Sequence, residues 1–183
     1  DPDLITLSGD NAWCSMAYLE LIELMDSFGI PWAPVMGNHD GQGCPSEFWA
    51  AYNLASAENC LFQFGPKDMG YGNYIINITE NDKIVHTFFM MDTHNSNEFT
   101  LEDGTVVEGY DHLWPNQIAW YEWAVKGIAD LAGENVESTA IMHIPVYEIH
   151  EAWKSDNIEK EGYEFGIVAT DNTIGATGKK KKK

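Results

Sequence analysis

A short apolar run that ends in a glycine and three polar side chains constrains the fold of this chain most strongly. Residues 30–36 predict a buried strand, and Gly37, Asn38, His39 and Asp40 follow it directly. The strand would fix the backbone, and the glycine would allow a sharp turn at its end. These residue types also favour ordinary turns, so the motif alone leaves a purely structural turn open. An amide, an imidazole and a carboxylate in succession nevertheless indicate a loop that binds a metal ion or transfers protons.

The start of the chain repeats this arrangement. Residues 4–8 predict a strand, and Gly9 and Asp10 come next. A helix over 15–28 would separate this strand from the one over 30–36, which predicts a right-handed βαβ unit with parallel strands. Ligand sites in open α/β sheets lie beyond the carboxyl ends of strands. We therefore expect both strand ends to face one pocket, although an aspartate that merely caps the helix is an alternative.

A third strand end carries a histidine. Residues 139–145 are mostly apolar and include His143. A single histidine after a strand is more often structural than catalytic, but three ligand-bearing strand ends at one edge reverse that balance. We expect the strands that end near Gly9, Gly37 and His143 to lie in one sheet with their carboxyl ends together.

The remaining pattern is typical of an α/β fold with a sheet core flanked by helices, a partial αββα sandwich. In the helix over 15–28, helical spacing predicts that Met16, Leu19 and Ile22 form the buried face. The other expected elements are helices over 46–57 and 114–131, strands over 74–79 and 84–92 joined by a hairpin turn at 80–83, and a surface excursion over 96–109.

Composition restricts the partners. The 183 residues carry a formal charge of −19 and include no arginine. Such an acidic surface repels nucleic acid, and a phosphate group would have to be neutralised by metal ions. No apolar run is long enough for a membrane span, and three cysteines without CxxC spacing leave the compartment undecided. We expect one domain over residues 1–178, followed by an appended lysine run at 179–183.

The motif Gly37-Asn38-His39-Asp40 resembles the most specific motif of the calcineurin-like metallophosphoesterases, and Gly9-Asp10 resembles a second one. The resemblance implies that Asp10 bridges two metal ions and that Asn38 and His143 are further metal ligands. It also implies that His39 contacts the substrate phosphate and that Asp40 orients His39.

Five further motifs occur in order: Gly-Tyr-Gly-Asn-Tyr at 70–74, Met-Asp at 91–92, Tyr-Asp at 110–111, Trp-Pro-x-Gln-x-x-Trp at 114–120 and His-Ile-Pro-x-x-Glu at 143–148. Together they resemble the purple-acid-phosphatase-like branch of the family, and this resemblance covers about residues 4–153. The purple acid phosphatases of that branch use a tyrosinate ligand three residues after the bridging aspartate. This position is Trp13, whose indole cannot bind a metal ion.

Two motifs of the family's ligand set, Asp-x-His before Gly9 and Gly-His-x-His after His143, do not occur in the chain. The sequence therefore predicts a domain that is incomplete at both ends, with three ligands for one ion and only Asp10 for a second. The few candidates for substitute ligands are three pairs of an imidazole and a carboxylate: His94 with Asp92, His112 with Asp111, and His150 with Glu151. We interpret each of them as a solvated pair on the surface. Glu148 is a candidate for an outer contact to the metal site.

The leading hypothesis is metal-dependent hydrolysis of small phosphate esters. Divalent ions (Mn, Fe, Zn or Mg) would be the cofactors, and His39 would protonate the leaving group or stabilise the developing charge. The alternative is a catalytically inactive domain of the same fold that binds a metal ion or a partner. A third hypothesis is an acidic protein that buffers cations, but the sequence contains no EF-hand spacing that would support it. We also expect self-association through an exposed edge of the strand over 4–8.

Overall fold

The computed structural model describes residues 2–146. It contains three helices and seven strands in this range, and the mixed α/β class predicted from the sequence is confirmed. The elements in chain order are β1 (Ile5–Leu7), α1 (Ser15–Ser27), β2 (Trp32–Pro34), α2 (Glu47–Ser56), β3 (Tyr74–Glu80), β4 (Lys83–Met91), β5 (Ser96–Thr100), β6 (Val106–Tyr110), α3 (Pro115–Ala132) and β7 (Ser138–Met142).

The strands form three separate ladders. β1 pairs in parallel with β2, β4 lies between antiparallel β3 and parallel β7, and β5 pairs with β6. The expectation that the strands ending near Gly9, Gly37 and His143 share one sheet is therefore wrong. β7 pairs with β4 because the apolar end of β4 accepts a neighbour on both sides, with Phe89 opposite Ala140. The carboxyl ends of β1, β2 and β7 nevertheless converge on one site.

The β3–β4 hairpin forms as predicted. Asn81 and Asp82 have φ values of 50° and 63°, the left-handed backbone that a two-residue hairpin turn requires. The segment 96–109 lies on the surface as predicted, since no residue of its two strands is buried, but it contains the β5–β6 hairpin, which the sequence did not predict. The short strand sequences carry no clear alternation of apolar and polar residues.

The helix α1 buries a different face from the one predicted. Met16 is 70% exposed and Leu19 is 50% exposed, whereas Tyr18 and Met25 are buried. Tyr18, Ile22 and Met25 recur at helical spacing too, and the structure packs this stripe, with its large aromatic ring, against the core of β2 and α2. The core itself is built around Trp32 and Leu54.

Two further properties bear on partners. Within residues 2–146 no helix combines the length and apolar character needed to cross a bilayer. On the side away from β2, the strand β1 has no strand partner within the described part of the chain.

Candidate metal and catalytic site

Three side chains from three strand ends meet at one point. The imidazole Nε2 of His143 lies 3.1 Å from Oδ1 of Asn38 and 3.3 Å from Oδ1 of Asp10. Donors that each bind one ion at about 2 Å lie about 3 Å from one another, so these distances suit a shared cation. The structure thus brings together the three residues predicted as metal ligands.

Two glycines permit this close approach. A side chain at Gly9 would meet the His143 ring at 2.6 Å, and one at Gly37 would meet the backbone nitrogen of Asp10 at 2.1 Å. Gly9 and Asp10 also have positive φ values of 94° and 51°. The backbone after β1 therefore turns sharply enough to direct Asp10 towards the end of β2.

The chemistry of the three atoms points to a cation. His143 donates its Nδ1–H to the carbonyl oxygen of Ser8 at 2.9 Å, which leaves a lone pair on Nε2 of the neutral ring. This lone pair faces Oδ1 of Asn38 and Oδ1 of Asp10, two oxygen atoms that only accept hydrogen bonds, and the latter also accepts from the backbone N–H of His39 at 3.0 Å. A divalent ion would satisfy all three, and a neutral imidazole with an amide and a carboxylate oxygen suits zinc, manganese or iron. Among residues 2–146 no group of three His, Cys, Asp or Glu side chains could hold a metal ion, so the amide of Asn38 is essential to this set.

Asp40 occupies a different place from the one that the resemblance implies. Its buried carboxylate accepts hydrogen bonds from the backbone nitrogens of Asn11 (2.6 Å), Ala12 (3.2 Å) and Gly37 (2.6 Å), and from the Asn11 amide at 2.9 Å. Asp40 therefore joins the loop after β1 to the loop after β2. Burial, reinforced by the charge of this carboxylate, raises the pKa of the adjacent Tyr18 phenol, which stays protonated.

His39 is held by two residues that the sequence analysis did not assign to the site. Its Nδ1 lies 2.7 Å from Oε1 of Gln42. Its ring stacks on the indole of Trp13 with a centroid distance of 4.2 Å and an angle of 15° between the planes. The only sequence signal for Gln42 is its position three residues after His39, which a tight turn brings back to the imidazole.

A second polar cluster lies beside this site. A cavity of about 260 Å³ is bounded by Gly37 on one side and by Asp92, His94 and Asp111 on the other. Asp92 and Asp111 are buried, so the interpretation of the pairs with His94 and His112 as solvated surface pairs is wrong. Burial raises the pKa of the Asp92 carboxyl, partly offset by the neighbouring His94.

The partners in this cluster explain its burial. His94 stacks on Trp114 with a centroid distance of 3.8 Å and donates its Nε2–H to Oε1 of the buried Gln117 at 2.9 Å. Gln117 in turn donates to the carbonyl oxygen of Asp92. His150, Glu151 and Glu148, the other candidates, lie outside the described residues.

The fold, together with the loops after β1 and β2 that carry Asp10 and Asn38, defines the class of the protein. The chain belongs to the calcineurin-like phosphoesterase family, whose sequence profile matches residues 1–170. The resemblance predicted from the motifs at Gly9 and Gly37 is thus confirmed.

The relatives are phosphatases by name. The chain is similar to "Phosphatase DCR2" of Saccharomyces cerevisiae, with 30% identity over 80% of this chain and 27% of the relative. It is 27% identical to "Probable inactive purple acid phosphatase 28" of Arabidopsis thaliana over 91% of this chain and 48% of the relative. "Probable inactive purple acid phosphatase 14" of the same plant is 28% identical, over 68% of this chain and 35% of the relative. The chain thus spans half or less of these proteins, and no solved structure matches it significantly.

Proposed function

We propose that this chain hydrolyses small phosphate esters with a divalent metal ion that binds to Asp10, Asn38 and His143. The observation that carries the proposal is that Nε2 of His143 lies within 3.3 Å of a side-chain oxygen of both Asn38 and Asp10. When bound, such an ion supplies a Lewis acid and an activated water. Its charge would also neutralise the phosphate, which the chain cannot do with arginine.

In this proposal His39 is the general acid. Oε1 of Gln42 accepts a hydrogen bond from the Nδ1–H of His39, so the imidazole presents Nε2 as the site from which a proton passes to the leaving-group oxygen. A positioned acid of this kind contributes about 10²–10⁴-fold in rate. Asp40 supports His39 indirectly, because it fixes the loop on which His39 lies.

Calorimetric titration with Mn²⁺ or Zn²⁺ tests the binding step. We expect one ion to bind weakly to the chain, since only three protein ligands are assigned, and binding to be lost in Asp10→Ala. The matched control is Asp130→Ala, which removes an exposed helical carboxylate. Equal affinity in the Asp10→Ala variant and the control would contradict the assignment.

Hydrolysis of alkyl phosphate mono- and diesters, whose leaving alkoxides need a proton, tests the chemical step. We expect slow metal-dependent turnover, because a second ion has only Asp10 as an assigned ligand, and a fall of about 10²–10⁴-fold in His39→Ala. Turnover that the loss of His39 leaves unchanged would contradict its role as general acid.

The second candidate function is a catalytically inactive member of the family that binds a metal ion or a partner. Two observations favour it: relatives named as probably inactive, and the absence within residues 2–146 of any group of three His, Cys, Asp or Glu side chains that could hold a second ion. Metal binding that depends on Asp10, without turnover of either ester, would assign the chain to this class.

A further inference from the structure

The side chain of Trp13 is exposed but still makes a specific contact with His39. The indole is 62% exposed, yet one face lies flat on the imidazole of His39. An exposed tryptophan commonly lies on the surface without a specific partner. Here the ring is parallel to that of the proposed general acid, while Gln42 holds the edge of the same imidazole at Nδ1. One residue therefore fixes the plane of His39 and the other fixes its rotation within that plane.

The side chain of Trp13 is not needed to hold the two loops together. The backbone does this, because Ser15 donates its N–H to the carbonyl oxygen of Gly43 at 3.2 Å. A side chain at Gly43 would meet the carbonyl oxygen of Trp13 at 1.9 Å, so the two main chains are in direct contact. The carboxylate of Asp40 adds bonds to the backbone of Asn11 and Ala12. Removal of the indole should thus free His39 and leave both loops in place.

We propose that Trp13 is a positioning residue that keeps the imidazole of His39 oriented towards the leaving group. This proposal rests on the proposed function, in which His39 is the proton donor. The physical reason is that an imidazole on a loop has several accessible rotamers, and a misplaced catalytic group costs about 10²-fold in rate. At a position where the resemblance implies a metal ligand, the indole restricts those rotamers by stacking.

The first test needs no activity. The ring current of a stacked indole displaces the NMR signals of the His39 Cε1–H and Cδ2–H, which are assigned by their absence in His39→Gln. We expect these signals to move to unstacked positions in Trp13→Ala, to stay partly displaced in Trp13→Phe, and to stay unchanged in Trp123→Ala. Trp123 is the matched control because it is 70% exposed on α3 and has no such stack within the described residues. Signals that are the same in Trp13→Ala and in the unmodified chain would overturn the proposal.

The second test separates positioning from a general structural effect. A proton donor matters for a poor leaving group and little for a good one, so an alkyl phosphate and dinitrophenyl phosphate are compared. We expect Trp13→Ala to lower kcat for the alkyl ester by about 10–10²-fold, with KM nearly unchanged, and to lower kcat for the dinitrophenyl ester by less than about threefold. Trp13→Phe should restore part of the loss. Equal losses with both esters, or no loss with either, would overturn the proposal.

The two tests also distinguish this proposal from the proposed function. A chain without any turnover contradicts the proposed function, and the NMR comparison then decides alone whether Trp13 orients His39. Equal urea midpoints for Trp13→Ala and Trp123→Ala would show that neither result reflects unfolding.

Discussion

The imidazole of His143 donates its Nδ1–H to the carbonyl oxygen of Ser8 across 2.9 Å, and this bond joins the end of β7 to the end of β1. The two residues are 135 positions apart in the chain. Because a carbonyl oxygen only accepts, the bond selects the tautomer whose Nε2 is free to bind a metal ion. The geometry of the candidate metal site thus depends on how closely the backbone after Ser8 approaches the His143 ring.

Substitution of Gly9 tests this dependence. In Gly9→Ala the new methyl group would meet the His143 ring at 2.6 Å, so the imidazole must leave its bond to Ser8. Loss of such an outer contact typically lowers metal affinity about 10–100-fold, and calorimetry with Mn²⁺ measures it. Gly104→Ala is the control, since Gly104 also has a positive φ, 81°, but has no atom within 4 Å of the added carbon. Equal affinities would show that the Ser8 contact does not matter.

Asp40 is expected to act on stability more than on chemistry. In Asp40→Asn one acceptor becomes a donor, so the backbone N–H groups of Asn11 and Gly37 cannot both keep their partner. A buried unsatisfied group costs about 1–3 kcal/mol, which urea unfolding would detect, whereas Asp130→Asn on an exposed helix should change little. Unchanged stability together with reduced turnover would instead support a direct action of Asp40 on His39.

Asp26 predicts a pH-dependent contribution to stability. Partial burial raises its pKa, but hydrogen bonds from the Trp32 indole and from the backbone of Asn59 and Glu58 outweigh this effect and lower the pKa below its ordinary value. A lowered pKa in the folded state stabilises the fold above the ordinary aspartate pKa of about 3.9, and this stability is lost as the pH falls through the folded value.

We therefore expect Asp26→Asn to lower the free energy of unfolding by about 1–2 kcal/mol at neutral pH. The difference from the unmodified chain should shrink as the pH falls below the ordinary aspartate range. Urea unfolding across this range measures it, with the exposed Glu23→Gln as control. A difference that does not change with pH would mean that the charge of Asp26 does not contribute.

The open edge of β1 predicts self-association. Ile5 and Leu7 direct backbone groups towards β2, since Ile5 donates to Pro31 and Leu7 accepts from Val35. By alternation the N–H and carbonyl of Thr6 point to the open side. We expect sedimentation to show dimers at high concentration that Thr6→Pro removes and Thr6→Val keeps, because proline lacks the N–H. A chain that is monomeric at every concentration would contradict this expectation.

The parts of the fold that could be predicted are those in which a short segment carries its own signal. The β1–α1–β2 unit follows from two strand–glycine patterns around a helix, and the central position of β4 follows from apolar residues on both of its faces at Phe88–Met91. The meeting of Asp10 and Asn38 follows from the parallel pairing of the strands that precede them.

The parts that could not be predicted depend on contacts between distant segments. α1 has two overlapping apolar stripes at helical spacing, and only the position of Trp32 and α2 decides that Tyr18 is buried and Leu19 is not. The contact of Asp40 with Asn11 depends on the angle between two loops, which no local pattern encodes. The same holds for Trp13, whose sequence position indicates only the absence of a tyrosinate.

The left-handed backbone at Asp10 has a consequence for how this site can change over generations. With φ at 51°, position 10 accepts glycine, asparagine and aspartate readily, and most other residues only with strain. A descendant that loses the metal ion would therefore most easily retain the loop by exchanging this carboxylate for an amide or for hydrogen. A homologous sequence with asparagine or glycine at position 10 and an otherwise unchanged loop would therefore indicate that metal binding has been lost.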